Sequence, residues 1–455
     1  MHATVGLDRD DGPAVRDGAG SAAYRWYVAI FLTVASTMSV IDRQVLALMI
    51  GPVKRDLGVS DSMMGLLGGL AFTLFYTILT LPMAWWADRG SRRRIVIGAV
   101  AFWSAATIAC GLAASYGQLF FARMCVGVGE AALIPTSVSL LADYFDRKRL
   151  PMALGLFAAA PLLGVGIANM AGGLVVDRLE AMGRVALPLI GTVQPWQAMF
   201  VMVGVPGIVL ALIGFSVAEP PRTGQAVQGE GGIPMRAVLD LLRRRGAFLA
   251  LMFIAYTALA MQGWGLFFWI VELLVRDHHV SRATAGFDFG ILALVMGGAG
   301  SWIAGLLSGR MMRAGRPDAT LRLVLVASLA LIPLGIAAPL VPGYGLALLL
   351  FAGATFFMGW PNGLGNSALA SVVPNELRGR IIALYLVVVN FLSFTLGPLL
   401  GGLIGDHVFA GRSLGLTLAT MAAVNYPIGA VCIWLSLGHF RRALDEAAAW
   451  REEQA

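Results

Sequence analysis

The sequence predicts an all-α polytopic membrane protein, with twelve transmembrane helices in two six-helix halves and both termini cytoplasmic. Three observations carry that expectation. Of the 455 residues, 58% are hydrophobic and only 13% charged, and the mean hydropathy is +0.78; a soluble domain of this size is far more polar. Apolar stretches of roughly 20 residues or more, the length that crosses a bilayer, recur twelve times. Lys and Arg gather in alternate loops, as they do on the cytoplasmic side of a membrane.

The twelve segments run approximately over 24–50, 62–87, 92–115, 117–144, 150–177, 196–218, 247–276, 284–311, 319–341, 344–372, 377–406 and 413–438. Residues 1–23 before them are polar and rich in Gly and Asp; a disordered cytoplasmic tail is expected there, not a secretory signal. With the N-terminus inside, cytoplasmic loops and tails hold about 24 of the 33 Lys and Arg. The net charge of +7 follows from that bias and calls for no nucleic-acid partner. Residues 24–218 and 247–438 form the two halves, joined by a cytoplasmic linker over 219–246 and followed by a cytoplasmic tail over 439–455. In the linker, Pro220-Pro221 and a Gly-rich stretch precede a basic run from Pro234 to Arg245, which predicts an interfacial amphipathic helix. Cys110, Cys125 and Cys432 lie in apolar segments and are expected to be free thiols. Pro161, Pro361 and Pro398 predict helix bends.

The two halves repeat each other. Val59-Ser60 before segment 2 matches Val280-Ser281 before segment 8 at an offset of 221, which also carries Asp88-Arg89 onto Gly309-Arg310 and Arg92 onto Arg313. After segment 4, Lys148 and Ala153-Leu154 match Arg378 and Ala383-Leu384 at an offset of 230. Six-helix halves related by an axis along the membrane normal are a transporter architecture, with the site between them near the midplane.

Within segment 1, Asp42 and Arg43 sit side by side, far from either end. Each charge at that depth costs at least ~2.5–3.5 kcal/mol, so each needs a partner or a watered cavity. Segment 4 carries Arg123 and Glu130, seven residues apart, hence on one face and about 10 Å apart along the axis. Pairing of Asp42 with Arg123 and of Arg43 with Glu130 are both open to the geometry. A carboxylate whose Arg partner can leave and return is the physical basis of a proton-coupled switch. Asp42 is therefore the first candidate for protonation, with Glu130 assisting, and Arg43 the candidate for an anionic headgroup. The alternative is a fixed salt-bridge cluster, and that structural role stands first for Arg123. The repeat places Gly263 and Trp264 opposite Asp42 and Arg43, and Gly353 and Trp360 opposite Arg123 and Glu130. With Phe267 and Phe356 nearby, a charged wall on the N-terminal half faces an aromatic wall on the other. Such walls suit an amphipathic substrate; ordinary helix packing is the competing explanation. Asn366 and Asn390 are further candidates for the cavity.

Ala84-Trp85-Trp86-Ala87-Asp88-Arg89-Gly90-Ser91-Arg92-Arg93 resembles the signature loop between helices 2 and 3 of the major facilitator superfamily, departing from it at both glycines, Ala84 and Ser91. Arg123 with Gly127 and Gly129, Ala160-Pro161 with Gly164, and Pro374-Asn375-Glu376-Leu377-Arg378-Gly379-Arg380 resemble its helix 4, helix 5 and post-helix-10 motifs. Ile41-Asp42-Arg43 together with Gly127-Val128-Gly129-Glu130-Ala131 resembles the bacterial spinster-like branch. The resemblance implies the major facilitator fold, a bacterial inner-membrane location, and rocker-switch transport of lysophospholipids or related lipids, with proton coupling in some relatives. It also implies that the loop at Asp88, Arg89 and Arg92 clamps the cytoplasmic side, with Asp143 and Arg310 as candidate gate partners. Glu272 is a weaker candidate for an outer gate, and Asp277-His278-His279 in an outer loop is too sparse for a metal site.

No nucleotide-phosphate loop, His-Glu-x-x-His or Gly-x-Ser-x-Gly is present, so an enzyme is not expected. No cofactor or metal is expected either; the expected partners are an amphipathic or lipid substrate, protons and membrane lipids, and the expected state is a monomer. A small organic anion carrier or multidrug efflux pump on the same fold is the alternative, and an uncoupled lipid facilitator or scramblase comes third.

Overall fold

A computed structural model of the chain describes residues 21–146, 148–188, 190–222, 245–373 and 375–453. Most of the expected tail (1–20) and of the linker with its expected basic helix (223–244) lie outside the described residues. Among the described residues, twelve helices are long and apolar enough to cross a membrane: α1 Ala22–Leu48, α2 Asp61–Arg89, α3 Arg92–Gly111, α4 Tyr116–Tyr144, α5 Leu150–Met182, α6 Pro195–Ser216, α7 Gly246–His278, α8 Arg282–Arg313, α9 Ala319–Ala337, α10 Tyr344–Val372, α11 Leu377–His407 and α12 Leu414–Leu444. Successive crossings leave α1 starting and α12 ending on one side, here the terminal side; the other is the far side.

Local chemistry sets the starts. Serine hydroxyls accept from backbone amides at the N-termini of α1 (Ser21), α2 (Ser60), α3 (Ser91), α4 (Ser115) and α8 (Ser281), satisfying amides that have no partner within the helix. The repeat reaches the backbone: Gly58 and His279, at the 221 offset and two residues before Ser60 and Ser281, are both left-handed, with φ of 63° and 57°. A π-helical turn falls inside α2 (Leu67–Ala71) and another inside α8 (Ala293–Gly297). Helix α5 is interrupted at Ala159, just before Pro161, whereas Pro361 and Pro398 lie inside continuous helices.

Several features depart from the sequence limits. A short helix, Ile50–Leu57, follows α1. An antiparallel hairpin of β1 (Val185–Leu187) and β2 (Gly191–Val193), with Val185 opposite Val193, joins α5 to α6. The last helix continues to Glu453, well past 438, because the polar text from His439 onward keeps helix-forming Ala, Glu and Arg without Gly or Pro. A hydropathy count stops where apolarity stops; a helix does not.

Across the middle, α2 meets α11 and α5 meets α8, and small residues let the backbones touch. A Cβ on Gly65 or Gly69 would strike the backbone of Pro398 or Thr395, one on Gly402 that of Asp61, and one on Gly286 that of Asn169. These contacts lie toward the far side. The buried apolar core follows suit. One cluster unites α1 to α6 with the far-side ends of α7, α8, α10 and α12, through Trp269, Phe289, Phe351 and Leu414. A separate cluster holds the terminal-side parts of α7, α9, α10, α11 and α12. The molecule is therefore joined on the far side and parted on the terminal side.

Candidate functional site

Asp42, Arg43, Arg123 and Glu130 meet where α1 lies against α3 and α4. The Arg43 Nε is 3.2 Å from Glu130 Oε2. Ser39, one turn earlier, links the pair: its hydroxyl donates to Glu130 Oε2 at 2.5 Å and accepts from Arg43 Nη2 at 3.0 Å. The guanidinium also faces the rings of Phe72 (5.2 Å) and Tyr76 (5.8 Å) on α2, a cation–π arrangement. Asp42 sits differently. Its Oδ2 accepts from the Thr107 hydroxyl of α3 at 3.2 Å, its Oδ1 has no partner among the described residues, and Arg123 Nη1 reaches its main-chain carbonyl, at 3.2 Å, and not its carboxylate. Asp42, Arg123 and Glu130 are 1–2% exposed, whereas the Arg43 side chain is 21% exposed. Of the two pairings the sequence left open, Arg43 with Glu130 is the ion pair here. Arg43 is also the charge within reach of a ligand.

The aromatic candidates form two groups. Trp264 stacks on Phe394 of α11 at 3.9 Å between ring centroids and lies near Phe267, which meets Phe289. Phe356, Phe357 and Trp360 cluster on α10, with Trp360 Nε1 buried and without a partner among the described residues. Asn366 is half-buried, its Oδ1 likewise without a partner among the described residues, and Asn390 is exposed.

On the terminal side, the expected gate residues Asp88, Arg89, Arg92 and Arg310 make no ion pair across the halves among the described residues. Asp88 and Arg310 are exposed and make no ion pair among the described residues. The Arg89 guanidinium lies over the Trp85 ring at 4.2 Å. Arg92 is buried within the first half, paired with Asp143 and, at 3.0 Å, with Glu219. Glu219 accepts from Ser91 and from the backbone amides of Arg92 and Arg93. Burial pushes its carboxyl up, but these hydrogen bonds and the Arg92 charge outweigh that and hold it below the usual carboxylate value.

The far side carries an ionic network that sequence reasoning largely missed. Asp61 on α2 is paired with Arg276 on α7 and with Lys54. Glu272 is paired with Arg276 (2.6 Å) and Arg282 (2.7 Å). Asp406 at the end of α11 accepts from the amides of Asp61 and Ser62, at the start of α2. Asp177, near the end of α5, accepts from the amide of Ala283 at the start of α8. The signal was present in the repeat: Asp61 and Arg282 follow the matching Val-Ser pairs with opposite charge, and Arg55-Asp56 matches Arg276-Asp277.

Comparison with known proteins fits this geometry. The family model of the Major Facilitator Superfamily matches residues 32–398. The crystal structure of a bacterial homolog to human lysosomal transporter spinster, in an inward-facing and unoccupied conformation, is similar with a TM-score of 0.74, at 27% identity over 94% of this chain and 96% of that one. An MFS-type efflux pump of Mycolicibacterium smegmatis is 25% identical, covering 93% of this chain and 95% of that protein. A probable galactarate/D-glucarate transporter of Bacillus subtilis is 25% identical, covering 93% and 97%. With twelve membrane-length helices, a fold matching the spinster homolog and a family model spanning most of its length, this chain belongs to the major facilitator superfamily of membrane transporters.

Proposed function

We propose that the protein is a proton-coupled secondary transporter that moves an amphipathic lipid, such as a lysophospholipid, by rocker-switch alternating access. One observation carries the proposal. Arg43, the partly exposed charge of an otherwise buried constellation, lies over two stacked aromatic rings, Phe72 and Tyr76, on the N-terminal half, and the other half offers aromatic groups around Trp264 and Trp360. A guanidinium can exchange one carboxylate for an anionic headgroup, while the aromatic wall receives an apolar tail. Parting of the halves on the terminal side supports lateral access for a lipid. In this proposal the terminal side is cytoplasmic, the membrane is the bacterial inner membrane, and the working unit is a monomer of two six-helix halves.

Coupling falls to Asp42 and Glu130. Glu130 is ion-paired with Arg43, whereas the Asp42 carboxylate makes no ion pair among the described residues and has only a hydroxyl partner, so Asp42 is where a proton most readily replaces a missing counter-charge. Arg123 holds the backbone of α1 at this point. The second reading is a small organic anion. It is favoured by the bases around the site and by the sugar-acid substrates named for the Bacillus relative.

The test is movement of a fluorescent lysophospholipid across proteoliposomes, with and without a pH gradient, in wild type and Asp42→Asn. Gradient-stimulated movement lost in the variant supports the proposal. Movement that ignores both gradient and substitution overturns the coupling. No lipid movement, with gradient-driven uptake of a sugar dicarboxylate, establishes the second reading.

A further inference from the structure

We propose that Thr107 and Ser39 are positioning residues that hold the two site carboxylates through protonation and release. The inference rests on the proton-coupled reading above and adds the groups that keep the acids in place. Each acid has one hydroxyl partner: Thr107 Oγ1 donates to Asp42 Oδ2 at 3.2 Å, and Ser39 Oγ donates to Glu130 Oε2 at 2.5 Å. Both hydroxyl residues are buried, Thr107 at 0% and Ser39 at 3% exposure.

A hydroxyl is the side-chain group suited to this task. It is a donor and an acceptor at once, and its hydrogen rotates. It donates to an ionised carboxylate, and after protonation it can accept from the carboxylic acid without either side chain moving. An amide or guanidinium donor cannot make that exchange. Ser39 also accepts from Arg43, so its hydroxyl reports on whether Arg43 is engaged with Glu130. If Arg43 turns to a ligand, the Ser39 hydroxyl is the polar contact that stays with Glu130, whose Oε1 is buried without a partner among the described residues. The titratable and charged groups around Asp42 are Arg43 on its own helix, Arg123 and Glu130 on α4, and Cys110 on α3. Around Glu130 they are Arg43 and Arg123, with Tyr76 on α2. Of these, Tyr76 alone carries a hydroxyl that could make the same exchange, and among the described residues it makes no hydrogen bond to either carboxylate, whereas Thr107 and Ser39 do.

The experiment is infrared difference spectroscopy of the full-length purified protein across a pH titration, following carboxylic-acid carbonyl bands. Asp42→Asn and Glu130→Gln assign the bands. Thr107→Val, which keeps the shape but removes the hydroxyl, is expected to shift the Asp42 band and raise its midpoint by about one pH unit, the order expected for one charge-assisted hydrogen bond. Thr107→Ser is expected to restore both. Ser39→Ala is expected to do the same to the Glu130 band and leave the Asp42 band in place. Assigned bands with unchanged position and midpoint in Thr107→Val and Ser39→Ala overturn the positioning role while leaving the coupling reading standing. No titrating band lost in Asp42→Asn or Glu130→Gln removes the coupling reading and this inference with it.

Discussion

Arg276 grips Asp61 with both ends of its guanidinium, Nη1 on Oδ2 and Nη2 on Oδ1, each at 3.0 Å, and so ties the far end of α7 to the far end of α2. This contact bridges the two halves on the far side, and in the proposed rocker-switch cycle it breaks when that side opens. Hydrogen bonds to charged groups are worth about 1.5–3 kcal/mol, and 1.4 kcal/mol is tenfold in population. Arg276→Ala is therefore expected to raise labelling of a Ser62→Cys reporter by an impermeant thiol reagent at least about tenfold, with the three native cysteines replaced. Unchanged labelling would mean that the pair does not hold the closure.

The capping acids Asp177 and Asp406 act at matching places, each on the first amides of a helix from the other half. A side-chain cap contributes about 1 kcal/mol. Asp177→Ala and Asp406→Ala are each expected to open the far side about fivefold in the same assay, and the double variant to multiply the two. Equal labelling in all three proteins would count against capping as a lock.

Gly65 touches the backbone of Pro398 so closely that no side chain fits. Gly65→Val is expected to keep the far side from closing, at a cost of roughly 1–3 kcal/mol or more for overpacking. Double electron–electron resonance between spin labels near the far ends of α2 and α11 should show a longer distance than in wild type.

Arg43 touches Ser39, Glu130 and two rings at once, which a lysine cannot copy. Arg43→Lys is expected to lower proteoliposome uptake of the lipid probe about tenfold or more with protein folding unchanged by circular dichroism. Wild-type uptake would remove Arg43 from the site.

Glu219 fastens the start of α3, and its carboxyl lies below its ordinary value. A lowered acid stabilises above its unfolded pKa of about 4.3 and loses that contribution as pH falls through its folded value. Exchange protection of the Arg93 amide, corrected for intrinsic rates, is expected to be full above about pH 4.3, to weaken below it and to be lost as pH falls through the lower folded value. In Glu219→Ala the protection should be low at every pH.

Twelve spans, the repeat and the Asp42–Glu130 constellation were legible because each rests on local text: apolar length, spacing by seven, a shared Val-Ser. The far-side network was not, since Asp61, Arg276 and Arg282 lie at helix ends, where charged residues are ordinary and only the packing of two distant helices gives them partners. The resemblance assigns Arg92 to a gate, but its partners are Asp143, in its own half, and Glu219, at the start of the linker. The pairing of Arg43 with Glu130 could not be chosen from sequence because both options satisfied the same depth count.

Asp42 and Glu130, when ionised, cancel Arg43 and Arg123, so the constellation has no net charge. An empty carrier of this kind reorients without feeling the membrane voltage. One bound proton makes the moving unit positive, and one bound monoanion returns it to neutral. Each uncompensated charge is driven by ~2.3 kcal/mol per 100 mV. In the proton-coupled cycle proposed above, the sign and size of a transport current are thus set by how many protons travel with each substrate, and a silent recording under active transport would mean one proton carried with each monoanion.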